Sequence, residues 1–300
     1  MNLQKCQESK EDADNKDNIE EMPEGGYKLV LHIPRTFTKH LIGKGQKTIR
    51  RICDVSKAYI QKPHDNDTNN NWLIKSNYRD HVNVAESEIR QVIGLVRRIY
   101  RTTHILVIPL NEGEVRQRYL EFKKCVMGAE LNIAESLYQW DNFLHITLCS
   151  FTLTDENDEQ QMLAELQNCE QFLNDSASPF DMRIKGIILQ PGDPECTRKV
   201  WAHVEAPRLE QFSNKCVSHF NGFNLTNTTN RKSLHCTLIK NRFNKQLKTR
   251  MPRNFDASEI LNRWGDYDFG NAQCNQVHLC RLGNTNKNGD FYDIIGTLKI

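Results

Sequence analysis

Residues 143–151 read FLHITLCSF, and residues 233–239 read SLHCTLI, so the pattern Leu-His-x-Thr-Leu stands at 144–148 and again at 234–238. One His-x-Thr means little in a chain with ten histidines. Two copies, each flanked by leucine on both sides, are not a chance recurrence. Both lie in short apolar runs that read as strands. Alternate side chains of a strand share a face, so His145 and Thr147 point one way and Leu144, Ile146 and Leu148 the other. His235 and Thr237 are presented likewise, opposite Leu234, Cys236 and Leu238. Each strand buries three apolar residues and offers one imidazole and one hydroxyl to a shared cleft.

That pairing suits a phosphodiester. Two imidazoles titrating near neutral pH serve as general base and general acid on opposite sides of one phosphorus. The threonine hydroxyls can donate to the non-bridging oxygens as charge develops there. A zinc centre needs a further ligand at suitable spacing; His203, in WAHVEA, is the obvious candidate and has no Asp/Glu cluster to join it. The sequence has no dinucleotide fingerprint and no P-loop, so neither hydride transfer nor ATP-driven work is supported, and no cofactor is expected.

Outward from the two motifs, residues 102–300 read as one region of alternating strands and helices. Strands are expected at 104–109, 143–151, 180–189, 199–205, 233–239, 276–282 and 291–299, and helices at 112–127, 156–173 and 207–220. Residues 241–275 read as a mixture of loop and helix. Residues 25–101 read β-α-α-β-β-α: strands at 27–33, 58–62 and 72–76, helical stretches at 37–42 and 47–55, and a long amphipathic helix at 81–100. The fold class is α+β throughout. Residues 1–24 lack apolar periodicity and are expected to be a disordered polar tail. With no apolar h-region there, a secretory signal is not expected. The ten scattered cysteines form no CxxC pair and read as reduced thiols of an intracellular protein.

Charge is unevenly placed. Residues 1–24 carry three lysines against eight acids, whereas residues 25–63 carry nine basic residues against the single acid Asp54. The remainder is close to balance, so one short stretch holds the cationic excess, the footprint of a polyanion contact. Inside it, LIGKGQKTIRRI (41–52) resembles the signature of a K homology domain, whose Gly-x-x-Gly loop joins two helices and clamps a nucleic-acid backbone. Gly43, Lys44, Gly45 and Gln46 match the loop positions, the last with Gln where the family has Gly. The resemblance implies contact with single-stranded RNA through these four residues and Lys47.

The paired motif resembles the two-histidine, LigT-like phosphoesterases, whose two pseudo-symmetric lobes each supply one His-x-Thr/Ser strand. That resemblance spans residues 102–300 and implies that His145, Thr147, His235 and Thr237 are catalytic. A K homology domain followed directly by such a domain of the A-kinase-anchor-like type resembles the activating signal cointegrator 1 complex subunit 1 family. The resemblance implies a nuclear protein that works with a helicase-containing complex in transcriptional coactivation and alkylation-damage repair. Two activities remain open from the sequence: a metal-independent phosphodiesterase acting on RNA ends or on cyclic or 2′,5′ phosphodiesters, and a non-catalytic RNA- or nucleotide-binding subunit.

Overall fold

A computed structural model describes residues 19–64, 67, 69–173, 179–228, 233–241, 254–286 and 288–300. The chain divides into two compact units that meet in sequence between Ile99 and Tyr100.

The first unit is a four-stranded antiparallel sheet with three helices. In chain order it comprises β1 (Glu20–Glu21), β2 (Tyr27–His32), α1 (Arg35–Ile42), α2 (Lys47–Ser56), β3 (Tyr59–Gln61), β4 (Asn71–Ser76) and α3 (Arg79–Ile99). The sheet order is β1-β2-β4-β3. Alternation along β2 and β4 buries Leu29, Leu31, Trp72 and Ile74, while Val82, Ala85 and Ile89 of α3 are buried at helical spacing. Phe37 and Leu41 of α1 and Ile52 of α2 complete this core. Arg97 is buried with its guanidinium 4.8 Å from the Phe37 ring centroid, so its charge rests on an aromatic face.

One expectation needs correction here. Of the stretch read as a polar tail, residues 1–18 lie outside the described residues, but Glu20–Glu21 form a strand that pairs with Tyr27–Lys28. The cause is cross-strand rather than propensity. Ile19 is buried, the Glu20 carboxylate sits 2.8 Å from Lys28 Nζ, and the Met22 N–H donates to the Gly26 carbonyl to close the turn.

The second unit is built on one eight-stranded antiparallel sheet, ordered β10-β7-β8-β9-β6-β5-β11-β12. Its elements are β5 (His104–Pro109), α4 (Gly113–Gly128), β6 (His145–Phe151), α5 (Glu156–Asn168), β7 (Phe180–Gln190), β8 (Lys199–Glu205), α6 (Pro207–Gly222), β9 (His235–Lys240), α7 (Ser258–Trp264), β10 (Asp268–Cys274), β11 (Gln276–Thr285) and β12 (Tyr292–Lys299). Each half of the sheet has four strands, and the halves join at the centre where β6 meets β9. The last two strands, β11 and β12, cross back to lie beside β5. One sheet face and the helices share a continuous core. Leu144, Ile146, Leu148, Leu234, Cys236 and Leu238 from the two motifs pack there with Tyr119 and Phe122 of α4, Met162 and Leu166 of α5 and Phe212 and Phe220 of α6. A smaller apolar cluster on β5, β11 and the approach to β12 holds Ile105, Val107, Cys280 and Phe291.

Two segments depart from expectation. The helix read at 156–173 ends at Asn168 and continues as one tight turn through Phe172. The stretch 241–275, read as loop and helix, also contains the edge strand β10, paired with β7. Its sequence, DFGNAQC, lacks alternation because a register shift falls between Asp268 and Gly270, leaving Phe269 and Gly270 both buried. Gly270 has φ +89°, and a Cβ there would meet the Glu114 carboxylate, whose Oε2 accepts the Asn271 N–H at 3.0 Å. Among the described residues, no helix is long and apolar enough to cross a membrane.

Candidate active site and nucleic-acid interface

Strands β6 and β9 pair antiparallel with Ile146 opposite Cys236. That register sets His145 across from Thr237, and Thr147 across from His235. All four polar side chains therefore lie on the face turned away from the main core, as the sequence requires. The flanking strands extend the same face. On β5, Val107 is opposite Thr147 and Pro109 opposite His145; on β8, Trp201 is opposite Thr237 and His203 opposite His235.

Each motif strand also carries one extra residue against its outer neighbour. Leu106 pairs with Cys149 but Val107 with Thr147, and Val200 pairs with Ile239 but Trp201 with Thr237. The bulged residues are Leu148 and Leu238, at the same place in both motifs. A bulge puts two consecutive residues on one side and re-aims the rest of the strand. Leu148 and Cys149 are both buried, as are Leu238 and Ile239, and Ser150 and Lys240 return half-buried to the side of the histidines. Tyr119 of α4 donates its hydroxyl to the carbonyls of Gln139 at 2.5 Å and Leu238 at 3.2 Å, which anchors the second bulge to the helical layer.

Each motif strand is braced at its far end by the segment leading into the other. Gln139 N–H donates to the Leu238 carbonyl at 2.8 Å, and Asn227 N–H donates to the Ser150 carbonyl, also at 2.8 Å. The two imidazoles thus belong to one interlocked unit rather than to two separate strands.

The histidines are held differently. His145 Nδ1 lies 2.7 Å from the Phe143 carbonyl, which can only accept, so Nδ1 carries the proton and Nε2 presents its lone pair. The Tyr292 ring stands edge-on to His145 at 5.3 Å between centroids, and Phe143 packs behind Tyr292 at 4.9 Å. The corresponding contact of His235, from Nδ1 to the Ser233 carbonyl, is 3.4 Å, beyond a normal hydrogen bond. His235 instead lies face to face with Trp201, at 3.8 Å and 22°. Burial is the main force pushing the His145 pKa down, to about 4; Lys240 and His235 add to it, and the Phe143 carbonyl opposes it. His145 is therefore neutral near pH 7. The same effects show that Lys240 and His235 are near enough to be felt electrostatically at His145.

Two more histidines flank the pair. His203 has a buried Nδ1 without a hydrogen-bond partner among the described residues. His278, across from Val107 on β11, is hydrogen-bonded through Nδ1 to Thr297 Oγ1 at 2.9 Å, and burial lowers its pKa. Among the described residues no group of three or more His, Cys, Asp and Glu side chains is arranged to hold a metal ion. Sequence reading missed Lys240, Ser150, Trp201 and Tyr292. The first two were signalled by the paired apolar residues after each threonine, which break strict alternation. The aromatic pair left no local signal.

In the first unit, α1 ends at Ile42 and α2 begins at Lys47, with Gly43, Lys44, Gly45 and Gln46 between them. Lys44 through Lys47 are exposed, alongside exposed Lys39, Arg50 and Lys57. The loop turns on three positive φ angles, +71° at Gly43, +61° at Gly45 and +64° at Gln46. A Cβ on Gly43 would collide with the Thr48 side chain, whereas a Cβ on Gly45 would meet open space. Gln46 takes a left-handed conformation that a glycine would adopt without strain. The Gln46 side chain does not cap the first turn of α2, and the Lys47 N–H donates to the Lys44 carbonyl.

Residues 102–300 match the family model of the AKAP7 2'5' RNA ligase-like domain, and residues 28–91 match that of the KH domain. The chain is similar to "Activating signal cointegrator 1 complex subunit 1" of Mus musculus, 24% identical over 295 residues, covering 89% of this chain and 82% of that protein. Among solved structures it is similar to TT0787 of Thermus thermophilus, with 18% identity, a TM-score of 0.46, and coverage of 66% of this chain and 97% of that one. It is also similar to E. coli LigT complexed with NADP+, at 14% identity and a TM-score of 0.42, over 66% of this chain and 98% of that one.

These geometries lead to expected outcomes at both sites. Because His145 resists protonation when folded, the unfolded chain binds more protons between pH 6.5 and about 4, and stability falls with pH across that window. His145→Gln should lose less stability than the wild type between pH 7 and pH 5 in urea unfolding; equal losses would show that His145 is not the titrating group. In the loop, Gly43→Ala should destabilise the first unit by about 2 kcal/mol or more, through left-handed strain plus the Thr48 collision. Gln46→Gly should instead be neutral to stabilising and should tighten binding of single-stranded RNA. Weaker binding would mean that the Gln46 carboxamide makes a useful contact of its own.

Proposed function

Since the chain belongs to the AKAP7 2'5' RNA ligase-like domain family and carries a KH domain ahead of that region, we propose that it binds single-stranded RNA through its first unit and cleaves phosphodiesters with its second. The observation that carries this reading is the β6–β9 register, which brings two imidazoles and two hydroxyls onto one face. The substrates that fit are RNA ends and cyclic or 2′,5′-linked phosphodiesters, whose single phosphorus can sit between the two rings.

The chemistry needs only protons moved at two points. A neutral imidazole takes a proton from water as the new oxygen–phosphorus bond forms. An imidazolium gives a proton to the leaving oxygen as the old bond breaks, so charge and protons balance. The depressed pKa of His145 suits it to start as the acceptor, with His235 as the donor. Thr147 and Thr237, each across from the opposite histidine, donate to the non-bridging oxygens. Lys240 adds a cation to the His145 side, where Ser150 is its neutral counterpart on the other strand.

The similarity to a subunit named for the activating signal cointegrator 1 complex supports a finer reading. In it the chain is an RNA-binding subunit of such a complex, nuclear, alongside a helicase, and engaged in transcriptional coactivation and alkylation repair. Co-purification of the endogenous chain with a helicase from nuclear extract tests that reading; a chain found only in cytosolic fractions and without a helicase contradicts it.

The enzymatic reading is tested on a panel of 2′,3′-cyclic, 3′,5′- and 2′,5′-linked oligonucleotides. His145→Ala and His235→Ala should each lower cleavage by about 10²–10⁴, and the double variant should lose little more than either alone. Thr147→Ala and Thr237→Ala should cost about 10- to 1000-fold, and a chelator should change nothing. Cleavage that survives the double histidine variant overturns the mechanism. A wild-type protein that binds nucleotide but cleaves nothing on the panel is a binding subunit. RNA affinity should fall steeply with salt, and charge reversal at Lys44 and Lys47 should weaken it several-fold; unchanged affinity would remove the loop from the interface.

A further inference from the structure

The two halves of the active face are alike in register, bulge and bracing, but they differ at matched positions, and one of these differences bears on His235. The residue across from the motif threonine is Val107 on β5 and Trp201 on β8. A valine satisfies the architecture in one half, so the position itself does not require an indole. The histidine contacts differ in the opposite sense. His145 has a short backbone hydrogen bond of 2.7 Å, whereas the same contact of His235 is stretched to 3.4 Å. The indole lies flat on the imidazole with the weaker backbone hold, 3.8 Å away and tilted by 22°.

We propose that Trp201 is a positioning residue for His235, fixing the plane of the imidazole by face-to-face stacking and covering one of its faces. This proposal rests on the phosphodiester reading of the site, and it adds a residue outside both His-x-Thr motifs. Stacked rings tolerate sliding but resist tilting, so the contact sets the plane in which Nε2 points. Displacement of a reacting group by about 1 Å can cost about 10²-fold in rate, which gives such a contact its leverage.

A second observation separates this role from packing. Trp201 Nε1 is buried with no hydrogen-bond partner among the described residues. An unpaired buried N–H costs about 1–3 kcal/mol, so a residue serving only to fill space there would be better apolar. What the indole supplies in return is a broad, electron-rich face, which also favours the protonated imidazole that a proton donor must present. Among the described residues, the charged and titratable groups near His235 include His203 across from it on β8, Lys199 beside Trp201, and His145 on β6, with Lys240 farther along its own strand. Lys199 Nζ is 5.4 Å from the Trp201 ring centroid. Trp201→Leu removes the Lys199 contact together with the stack, whereas Trp201→Phe keeps an aromatic face for both, so the two variants are read together.

The test uses the full chain with Trp201→Phe and Trp201→Leu. Histidine NMR of the ligand-free protein reads the ring directly. In the wild type, the His235 Hε1 resonance should be sharp and shifted upfield by the indole, and both features should be lost in Trp201→Leu. Trp201→Phe, which removes the unpaired N–H, should be at least as stable as wild type and should keep part of the upfield shift. In turnover, Trp201→Leu should lower kcat about 10- to 100-fold with KM within about twofold, Trp201→Phe should recover much of the loss, and the basic limb of the pH–rate profile should move to lower pH. A sharp, single-conformer His235 in Trp201→Leu with unchanged kcat would overturn the proposal. If the wild type cleaves no substrate, the phosphodiesterase reading fails, and the NMR comparison still decides whether Trp201 orders His235.

Discussion

Everything on the face that carries the two histidines depends on one antiparallel contact, β6 against β9 with Ile146 opposite Cys236. A slip of one residue would turn every motif side chain to the other face, burying imidazoles in the core and exposing leucines. The core prevents it. Ile146, Leu148, Cys236 and Leu238 are each no more than 1% exposed, and burial of such side chains is worth about 1.5–3 kcal/mol apiece. The apolar half of each motif is thus what fixes the position of its polar half. The bulges at Leu148 and Leu238 add a second constraint, since a bulge pins register locally and bends the strand.

The outer strands turn this central pair into a site with two unlike sides. On the His145 side, β12 brings Tyr292, and the position of β12 is secured through Arg281 of β11. Arg281 reaches Asp293 at 3.1 Å and the Glu159 carboxylate of α5 at 2.6 Å, and these acids raise its pKa. His104 Nε2 adds a contact to Glu159 at 3.2 Å. On the His235 side, β8 brings Trp201 and His203. The near-symmetry of the backbone therefore carries chemically different side chains, a condition for two imidazoles to take different roles on one phosphorus.

Much of this was legible in the sequence because the governing signals are local. The His-x-Thr alternation shows which side chains share a face, and the glycines with their basic neighbours mark the loop between α1 and α2. The parts that escaped are set by partners distant in sequence. β1 exists because Lys28 and a buried Ile19 give two glutamates a strand to pair with. β10 is masked by the irregularity at Gly270, which α4 requires through Glu114. Trp201 and Tyr292 sit in ordinary strands; the place of β8 beside β9 shows that Trp201 lies against a motif histidine, and for Tyr292, two strands beyond β5, only the ring contact shows it. Lys240 is an intermediate case. The doubled apolar residues Leu238 and Ile239 announce a bulge, but strict alternation places Lys240 on the wrong side.

The central claim is that His145 and His235 act together on a single phosphorus. A crystal structure of the protein with a nucleoside vanadate, which mimics five-coordinate phosphorus, tests it most directly. Vanadium should lie between the two Nε2 atoms, each within hydrogen-bond distance of an apical oxygen, with the Thr147 and Thr237 hydroxyls on equatorial oxygens. Vanadate bound elsewhere, or held by one histidine while the other faces away, would contradict a shared acid–base site.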